Sequence, residues 1–338
     1  MDLNKFQSEE YSGRPVQMPL KGLVTPEKAK IQAQILANSL RKKFRHLSRR
    51  FKREGIDCFR LYDWDSPDIR IVVDWYAGHL MVSEYERQQT GPGYLPQMAK
   101  AAAKALNVPL DKVHNRHRHT KLQAGPRYGK IDSRGERIQV QERNLKFWVN
   151  LNDFLDTGLF SDHRDRRVII SKLAKEKDFL NLFAYTGTFT CAAIAGGART
   201  TVTVDRSKIY IDWARDNLLL NGFLSKNHTL IQSDVQRYLA NAYRQGHRFN
   251  LALVDPPSFY NDQAAGVSFD INRDHPELLR DVLRIMQPGS DLFFSTNHQR
   301  FEPHFETLKV KEIIKITPKT IPEDYRNRNV HNCWQIKI

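Results

Sequence analysis

The chain reads as an α/β protein, a doubly wound and mainly parallel sheet preceded by a smaller α+β domain. Three observations predict this. From about residue 145 onward short apolar, β-branched runs alternate with helical stretches, the pattern of βαβ units. Successive apolar runs end in a glycine turn or a carboxylate, as at Tyr185-Thr186-Gly187, Val204-Asp205, Ser233-Asp234 and Val254-Asp255. The length of 338 residues exceeds one ordinary small domain, and the charge is split unevenly along it. Residues 1–150 carry 28 basic and 16 acidic side chains, a balance of +12, whereas residues 151–338 carry 25 and 22, a balance of +3.

Residues 1–24 are polar, contain Gly13, Pro15, Pro19 and Gly22, and show no periodicity, which predicts a flexible arm. Thr25-Pro26 then supplies an N-cap hydroxyl and a first-turn proline. Leu36, Leu40, Phe44, Leu47 and Phe51 recur at spacings of 4, 4, 3 and 4, one face of a helix that Gly55 ends. Strands are expected at Cys58 to Tyr62, Ile69 to Val73 and Leu80 to Tyr85, and a helix at Leu95 to Leu106. The boundary between the basic domain, residues 25–144, and the sheet domain, residues 145–338, is placed near Asn144.

Eight basic residues lie between Arg41 and Arg53, including Arg41, Arg45, Arg49 and Arg50, with no acid among them. Like charges at i,i+4 repel unless an anion relieves them, so a phosphate-bearing partner and a solvated helix face are both open readings. A second basic run, Lys112 to Lys121, contains Arg116 and Arg118 and three histidines. Phosphate contact and a plain surface loop are again both open; the histidine spacing matches no metal site. The three cysteines, Cys58, Cys191 and Cys333, are widely separated and suggest neither a disulfide framework nor zinc. No apolar run approaches the ~20 residues of a spanning helix, and the N-terminus lacks a signal-peptide core, so a cytoplasmic location without a membrane partner is expected.

In the second part, strands are expected at 179 to 183, 200 to 204, 228 to 231, 249 to 254 and 291 to 295, then 313 to 316 and 333 to 338. Helices fit at 188 to 195, 207 to 220, 235 to 244 and 273 to 287. Ligands of such sheets bind beyond the carboxyl ends of the strands, where Gly187, Asp205, Asp234 and Asp255 fall. Gly187 avoids crowding a nucleoside, Asp205 can accept from both ribose hydroxyls, and Asp234 can reach an adenine amino group. A dinucleotide site is excluded because Gly-x-Gly-x-x-Gly is absent and bulky Tyr185 and Phe189 flank a single glycine. A phosphate loop is excluded because no Gly-Lys-Ser/Thr follows the first strand.

These motifs, with Leu61-Tyr62-Asp63, Trp148-Val149-Asn150-Leu151, Leu155 to Phe160, Asp162-His163-Arg164 and His331-Asn332-Cys333-Trp334, resemble the class I methyltransferases acting on large-subunit ribosomal RNA. Within them the chain resembles the guanine-N7 half of the bifunctional bacterial 23S rRNA K/L methyltransferases, from roughly Ile35 onward. The resemblance implies a Rossmann-like fold and an S-adenosylmethionine site built from Asn181, Phe183, Tyr185, Gly187, Asp205, Ser207 and Asp234, with Asp162, His163 and Arg164 closing over the methionine end. It places Asp255, Pro256 and Pro257 beside the methyl group and the target base, and implies 23S rRNA or a large-subunit assembly intermediate as partner, with no metal. Ser258-Phe259 follows the prolines, where exocyclic-amine methyltransferases usually place the aromatic directly, and this departure weakens that reading.

Cytosine C5 needs a cysteine nucleophile, and neither strand exit into Pro256-Pro257-Ser258 or Ser295-Thr296-Asn297 offers one. Guanine N7 has a ready lone pair, so alignment can carry catalysis. Asp255 is expected to orient the guanine by accepting from it. Phe259 and Phe301 are candidates to stack on the base, with core packing the open alternative and the favoured one for Phe301, and Asn297 is a candidate to hydrogen-bond the base or its ribose. An exocyclic-amine methyltransferase and a non-catalytic RNA-binding assembly factor are the competing classes.

Overall fold

The computed structural model describes residues 24–85, 89–118, 131–262 and 267–338. The expected arm, apart from Val24, and His119 to Lys121 of the second basic run lie outside the described residues.

Helix α1 (Pro26–Arg53) starts as its sequence dictates: the Lys28 amide donates to Thr25 Oγ1 at 3.2 Å, and Pro26 occupies the first turn. Leu36, Leu40, Leu47 and Phe51 are buried, and Phe44 packs on Trp75 with ring centroids 4.8 Å apart. Gly55 ends the helix at φ 68°, and a Cβ there would meet the Arg143 carbonyl oxygen at 2.8 Å. Strands β1 (Cys58–Asp63), β2 (Ile71–Tyr76) and β3 (His79–Tyr85) form an antiparallel meander. Helix α2 (Tyr94–Leu106) packs on α1, so their apolar faces cover one side of this sheet.

The next element departs from expectation. Residues read as a basic loop form strand β4 (Val113–Arg118), parallel to β3. The run Val-His-Asn-Arg-His-Arg has almost no apolar signal, and stacking of His79 on His114 replaces it. A hairpin of β5 (Ile138–Glu142) and β6 (Leu145–Val149) follows, so the expected boundary near Asn144 falls in its turn. One apolar cluster joins Cys58, Tyr76 and Met81 of the first sheet, Val140, Phe147 and Val149 of the hairpin, and Cys191 and Leu218 beyond.

The remaining elements are α3 (Arg164–Leu173), β7 (Asp178–Leu182), α4 (Thr188–Ala195), β8 (Thr200–Asp205), α5 (Lys208–Leu220), β9 (His228–Gln232) and α6 (Val235–Arg244). Then come β10 (Phe249–Val254), a hairpin of β11 (Phe259–Asp262) and β12 (Val267–Asp270), α7 (Ile271–Leu283), β13 (Met286–Thr296), β14 (Glu312–Lys315) and β15 (Asn332–Lys337). The main sheet has the order β14-β15-β13-β10-β7-β8-β9, with β13, β10, β7, β8 and β9 parallel and β15 antiparallel to both its neighbours. The chain winds outward from β7 to β9 and returns to β10 on the other flank of β7. That reversal opens a crevice at the carboxyl ends of β7 and β10. Leu180, Leu182, Val204, Ala252, Val254 and Phe294 are fully buried across the strands, which accounts for their near-continuous apolar runs.

Helix α3, absent from the sequence reading, buries three arginines, each against a different carboxylate. Arg164 pairs with Asp324, Arg166 with Asp255 and Arg167 with Glu142. Its polar sequence hides this role, because buried and solvated arginines look alike in sequence.

Candidate active site

The turn leaving β7 is left-handed at Phe183 (φ 55°), Tyr185 (φ 51°) and Gly187 (φ 71°). Two of these carry large side chains, a conformation that persists only when neighbours impose it. Here the Tyr185 amide donates to Asp205 Oδ2 at 2.9 Å, the Tyr185 hydroxyl accepts from the Gly158 amide at 2.9 Å, and Thr186 Oγ1 donates to the Gly158 carbonyl at 2.6 Å. A Cβ on Gly187 would lie 2.7 Å from Ala214 Cβ. Glycine is required here by φ and by packing against α5.

Asp205 ends β8 facing this turn. One oxygen accepts from the Tyr185 amide and the other from the Ser207 amide, both at 2.9 Å, and each retains lone-pair capacity for a further donor. Burial pushes its carboxyl up to about 6, and the two backbone donors offset only part of that rise. Ser207 caps α5 and contributes its backbone, since its side chain makes no cap bond. Asp234 caps α6 by accepting from the Arg237 amide at 3.1 Å, and its other oxygen faces the Tyr260 hydroxyl at 3.4 Å. Asn181 is buried on β7, where its Nδ2 donates to Thr190 Oγ1 at 3.0 Å and its Oδ1 has no partner. Phe183 packs on Phe269. Phe160, which the sequence reading quoted within a motif but gave no role, is exposed and lies 5.1 Å from the Tyr185 ring.

At the end of β10 the Asp255 carboxylate is clamped by the protein. Arg166 Nη2 donates to Oδ2 at 2.9 Å, Ser295 Oγ donates to Oδ1, and His163 Nε2 lies 3.5 Å from Oδ2. Burial alone would raise its pKa, but the Arg166 guanidinium and the Ser295 hydroxyl hold it below the usual carboxylate range. Burial and the same guanidinium push His163 down to about 3, so it is neutral and a weak base. Arg166 and Ser295 were not foreseen; the resemblance had marked Arg164, two residues before the arginine that reaches Asp255. Arg164 instead faces the N-terminal sheet, with Nη1 donating to the Cys58 carbonyl at 3.2 Å and its guanidinium over Phe51, and it cannot close over a cofactor.

Asp162, His163 and His331 are the one group among the described residues close enough to share an ion, their ligand atoms lying within 4.8 Å of one another. His331 already commits both ring nitrogens, Nδ1 to Asp162 Oδ2 and Nε2 to Thr320 Oγ1, each at 2.9 Å. Although burial opposes it, the His331 hydrogen bond helps hold the Asp162 carboxyl below its ordinary range. His331 and Asp162 therefore satisfy one another directly, whereas His163 Nδ1 is buried without a hydrogen-bond partner.

A family model of S-adenosylmethionine-dependent methyltransferases matches residues 60–319, most of both sheets and the whole crevice. The chain belongs to this family. Its methyl donor is S-adenosylmethionine, and the left-handed turn, the buried Asp205 with open lone pairs and the orphaned Asn181 Oδ1 provide acceptors suited to that group. Ribosomal RNA large subunit methyltransferase K/L of Vibrio cholerae is 39% identical over 312 residues, covering 89% of this chain and 43% of the relative. The chain thus spans less than half the length of that relative. Among solved structures, SMU.776, a methyltransferase complexed with SAH, superposes with a TM-score of 0.72 at 22% identity, covering 90% of this chain and 82% of that one. A SAM-dependent methyltransferase from Streptococcus mutans gives 0.71 at 22% identity, covering 90% and 81%. These two share the fold of this methyltransferase.

The expected acceptor residues of the methyltransferase are only partly brought together. Phe259 is 47% exposed beside the Asp-Pro-Pro turn, and Asn297 accepts from Ser258 Oγ at 2.8 Å, joining the exits of β10 and β13. Phe301 is partly buried and packs against His275, Phe294 and Trp334 at the edge of the core, which favours packing over base stacking. Arg116 is 5% exposed and donates to the carbonyls of Leu151 and Phe154, so it braces the chain rather than meeting phosphate. Arg118 faces Asp156 at 3.6 Å. On α1, Arg50 is taken by Glu54 and Glu323, while Arg41, Arg45 and Arg49 line one open cleft of about 380 Å³ with Ser48 and Asn107. Among the described residues no helix is long and apolar enough to cross a membrane.

Proposed function

We propose that the protein transfers a methyl group from S-adenosylmethionine to guanine N7 of 23S ribosomal RNA, with residues 25–144 forming the RNA-binding domain. The observation that carries the choice of atom is the state of Asp255. Its oxygens are engaged by Arg166 and Ser295 and its pKa is lowered, so it cannot take a proton from a nucleophile. His163 beside it is too weakly basic to do so. Cysteine attack is equally unsupported, because Cys191 and Cys333 are buried with thiols pushed up to about 12 and about 11. A site without base or thiol suits an acceptor whose lone pair is already available, which is the case for N7. The likeness to a K/L methyltransferase over 89% of the chain supports ribosomal RNA as the bearer of that base.

The cofactor supplies the electrophilic methyl on a sulfonium. Asp205 would hold the ribose and Asp234 the adenine, while Phe183, Tyr185 and Gly187 shape the backbone around the nucleoside. Clamped Asp255, with Pro256 and Pro257 behind it, would fix the target plane; in-line alignment of this kind can contribute up to ~7 to 11 kcal/mol. The Asp-Pro-Pro sequence also favours an exocyclic amine as acceptor, and one experiment separates the two. Methyl-labelled cofactor, the protein and 23S rRNA, followed by digestion and mass spectrometry, will yield 7-methylguanosine. Label on an exocyclic amine, or none in RNA, rejects the proposal.

Asp205 makes cofactor affinity depend on pH. Its free-state pKa near 6 means that it takes up a proton as pH falls through that value. Ribose hydroxyls donate to the ionised form, so binding lowers the pKa and releases the proton. Affinity is therefore full above pH 6 and falls by up to about tenfold per unit below it. Calorimetric titration across this range tests the assignment; pH-independent affinity would remove Asp205 from the ribose.

A further inference from the structure

The segment from Thr317 to His331, between β14 and β15, threads between the N-terminal sheet and the active site. Its inner side is tightly held. Asp324 is 0% exposed, accepts from the Arg60 amide at 2.8 Å and pairs with Arg164, while the Tyr325 hydroxyl lies 2.6 Å from Ser161 Oγ. His331 reaches Asp162.

Its outer side, Arg326, Asn327, Arg328 and Asn329, is exposed at all four residues yet fixed in place. The Asn327 amide donates to Asp63 Oδ2 at 2.7 Å, Arg326 Nη1 to the Trp64 carbonyl at 2.9 Å, Arg328 Nη1 to the Pro322 carbonyl at 3.0 Å, and the Asn329 amide to Asn327 Oδ1 at 2.9 Å. The exit of β13 abuts this tip, because Gln299 Nε2 donates to the Asn329 carbonyl at 3.0 Å. Asn297, two residues earlier, is the residue that Ser258 ties to the Asp-Pro-Pro turn. No acid interrupts Asn297 to Phe301 or Tyr325 to Val330.

We propose that Gln299, Arg300 and Arg326 to Asn329 form a second RNA-contact ridge that grips unpaired nucleotides flanking the target base. This rests on the RNA reading above. A guanine presented to a pocket must leave its stack, so its neighbours are splayed and need their own support. Guanidinium planes offer stacking and phosphate contact, and carboxamides match base edges, whichever base is present. The bonds to Asp63, Trp64 and Pro322 set these groups in position before RNA arrives, which lowers the ordering cost of binding. The ridge also lies between the pocket and α1, since Lys43 Nζ donates to the Asp324 carbonyl at 2.9 Å and Arg50 pairs with Glu323. RNA leaving the pocket over the ridge would meet the α1 arginines next.

The test uses the full chain with Arg300→Ala and with the double variant Arg326→Ala/Arg328→Ala, titrated with a labelled single-stranded RNA and with a fully paired hairpin. The Arg300 side chain makes no hydrogen bond or ion pair to the described residues, so that variant keeps the parent melting temperature and cofactor affinity. Both variants will bind the single strand about tenfold more weakly, and the salt dependence will fall by about 0.7 per lost phosphate contact. Parent affinity and slope in Arg300→Ala and in the double variant overturn the proposal, as does a loss confined to the hairpin. These readouts need no turnover, so absence of 7-methylguanosine would reject the base assignment while leaving the ridge measurable.

Discussion

Glu142→Ala will destabilise the protein by about 3–5 kcal/mol, a larger loss than any surface change can give. Glu142 accepts from Arg167 Nε and Nη2, both at 2.6 Å, with each side chain almost completely buried. Removing the carboxylate leaves a guanidinium in an apolar wedge, over Phe147 and Phe189, with only the Phe160 carbonyl to answer it. Urea unfolding of Glu142→Ala measures the loss. The double variant Glu142→Ala/Arg167→Met will recover most of it, because no charge is then stranded. A single variant within 1 kcal/mol of the parent would mean that solvent reaches the pair, contrary to its burial.

Asp205→Asn will weaken cofactor binding by about 10²- to 10⁴-fold, the loss of two hydrogen bonds to a charged acceptor at about 1.5–3 kcal/mol each. The free protein will melt within a few degrees of the parent, since the ionised carboxylate is itself disfavoured by burial at neutral pH. The rise in melting temperature that excess cofactor gives the parent will vanish in the variant. Near-parent affinity would place the ribose elsewhere in the crevice.

The sheet and its order of helices were legible because periodicity marks apolar faces, and β7, β8 and β10 announce themselves in the runs around Leu180, Val204 and Ala252. The strand-end carboxylates were legible for the same reason, as each closes such a run. What escaped was polar and buried. Arg164, Arg166 and Arg167 read as a solvated stretch, yet each supports a different part of the molecule, and only partners distant in sequence reveal it. Strand β4 escaped because Val113 to Arg118 offers histidine and arginine where a strand usually shows branched apolar residues, and Arg116 was misread with it. Phe301 was left open because spacing from a strand end does not distinguish an aromatic that lines a pocket from one that packs beneath it.

The position of β15 sets an order on assembly. It lies inside the sheet between β13 and β14, although β14 precedes it in the chain, and β14 has no other strand partner. Residues 312–315 cannot join the sheet until residues 332–337 have inserted beside β13. The same insertion delivers His331 to Asp162, a contact across 169 residues. A ribosome still holding β15 in its tunnel would therefore carry a nascent chain able to form the β7–β9 flank while β14 and the His331–Asp162 contact are still missing.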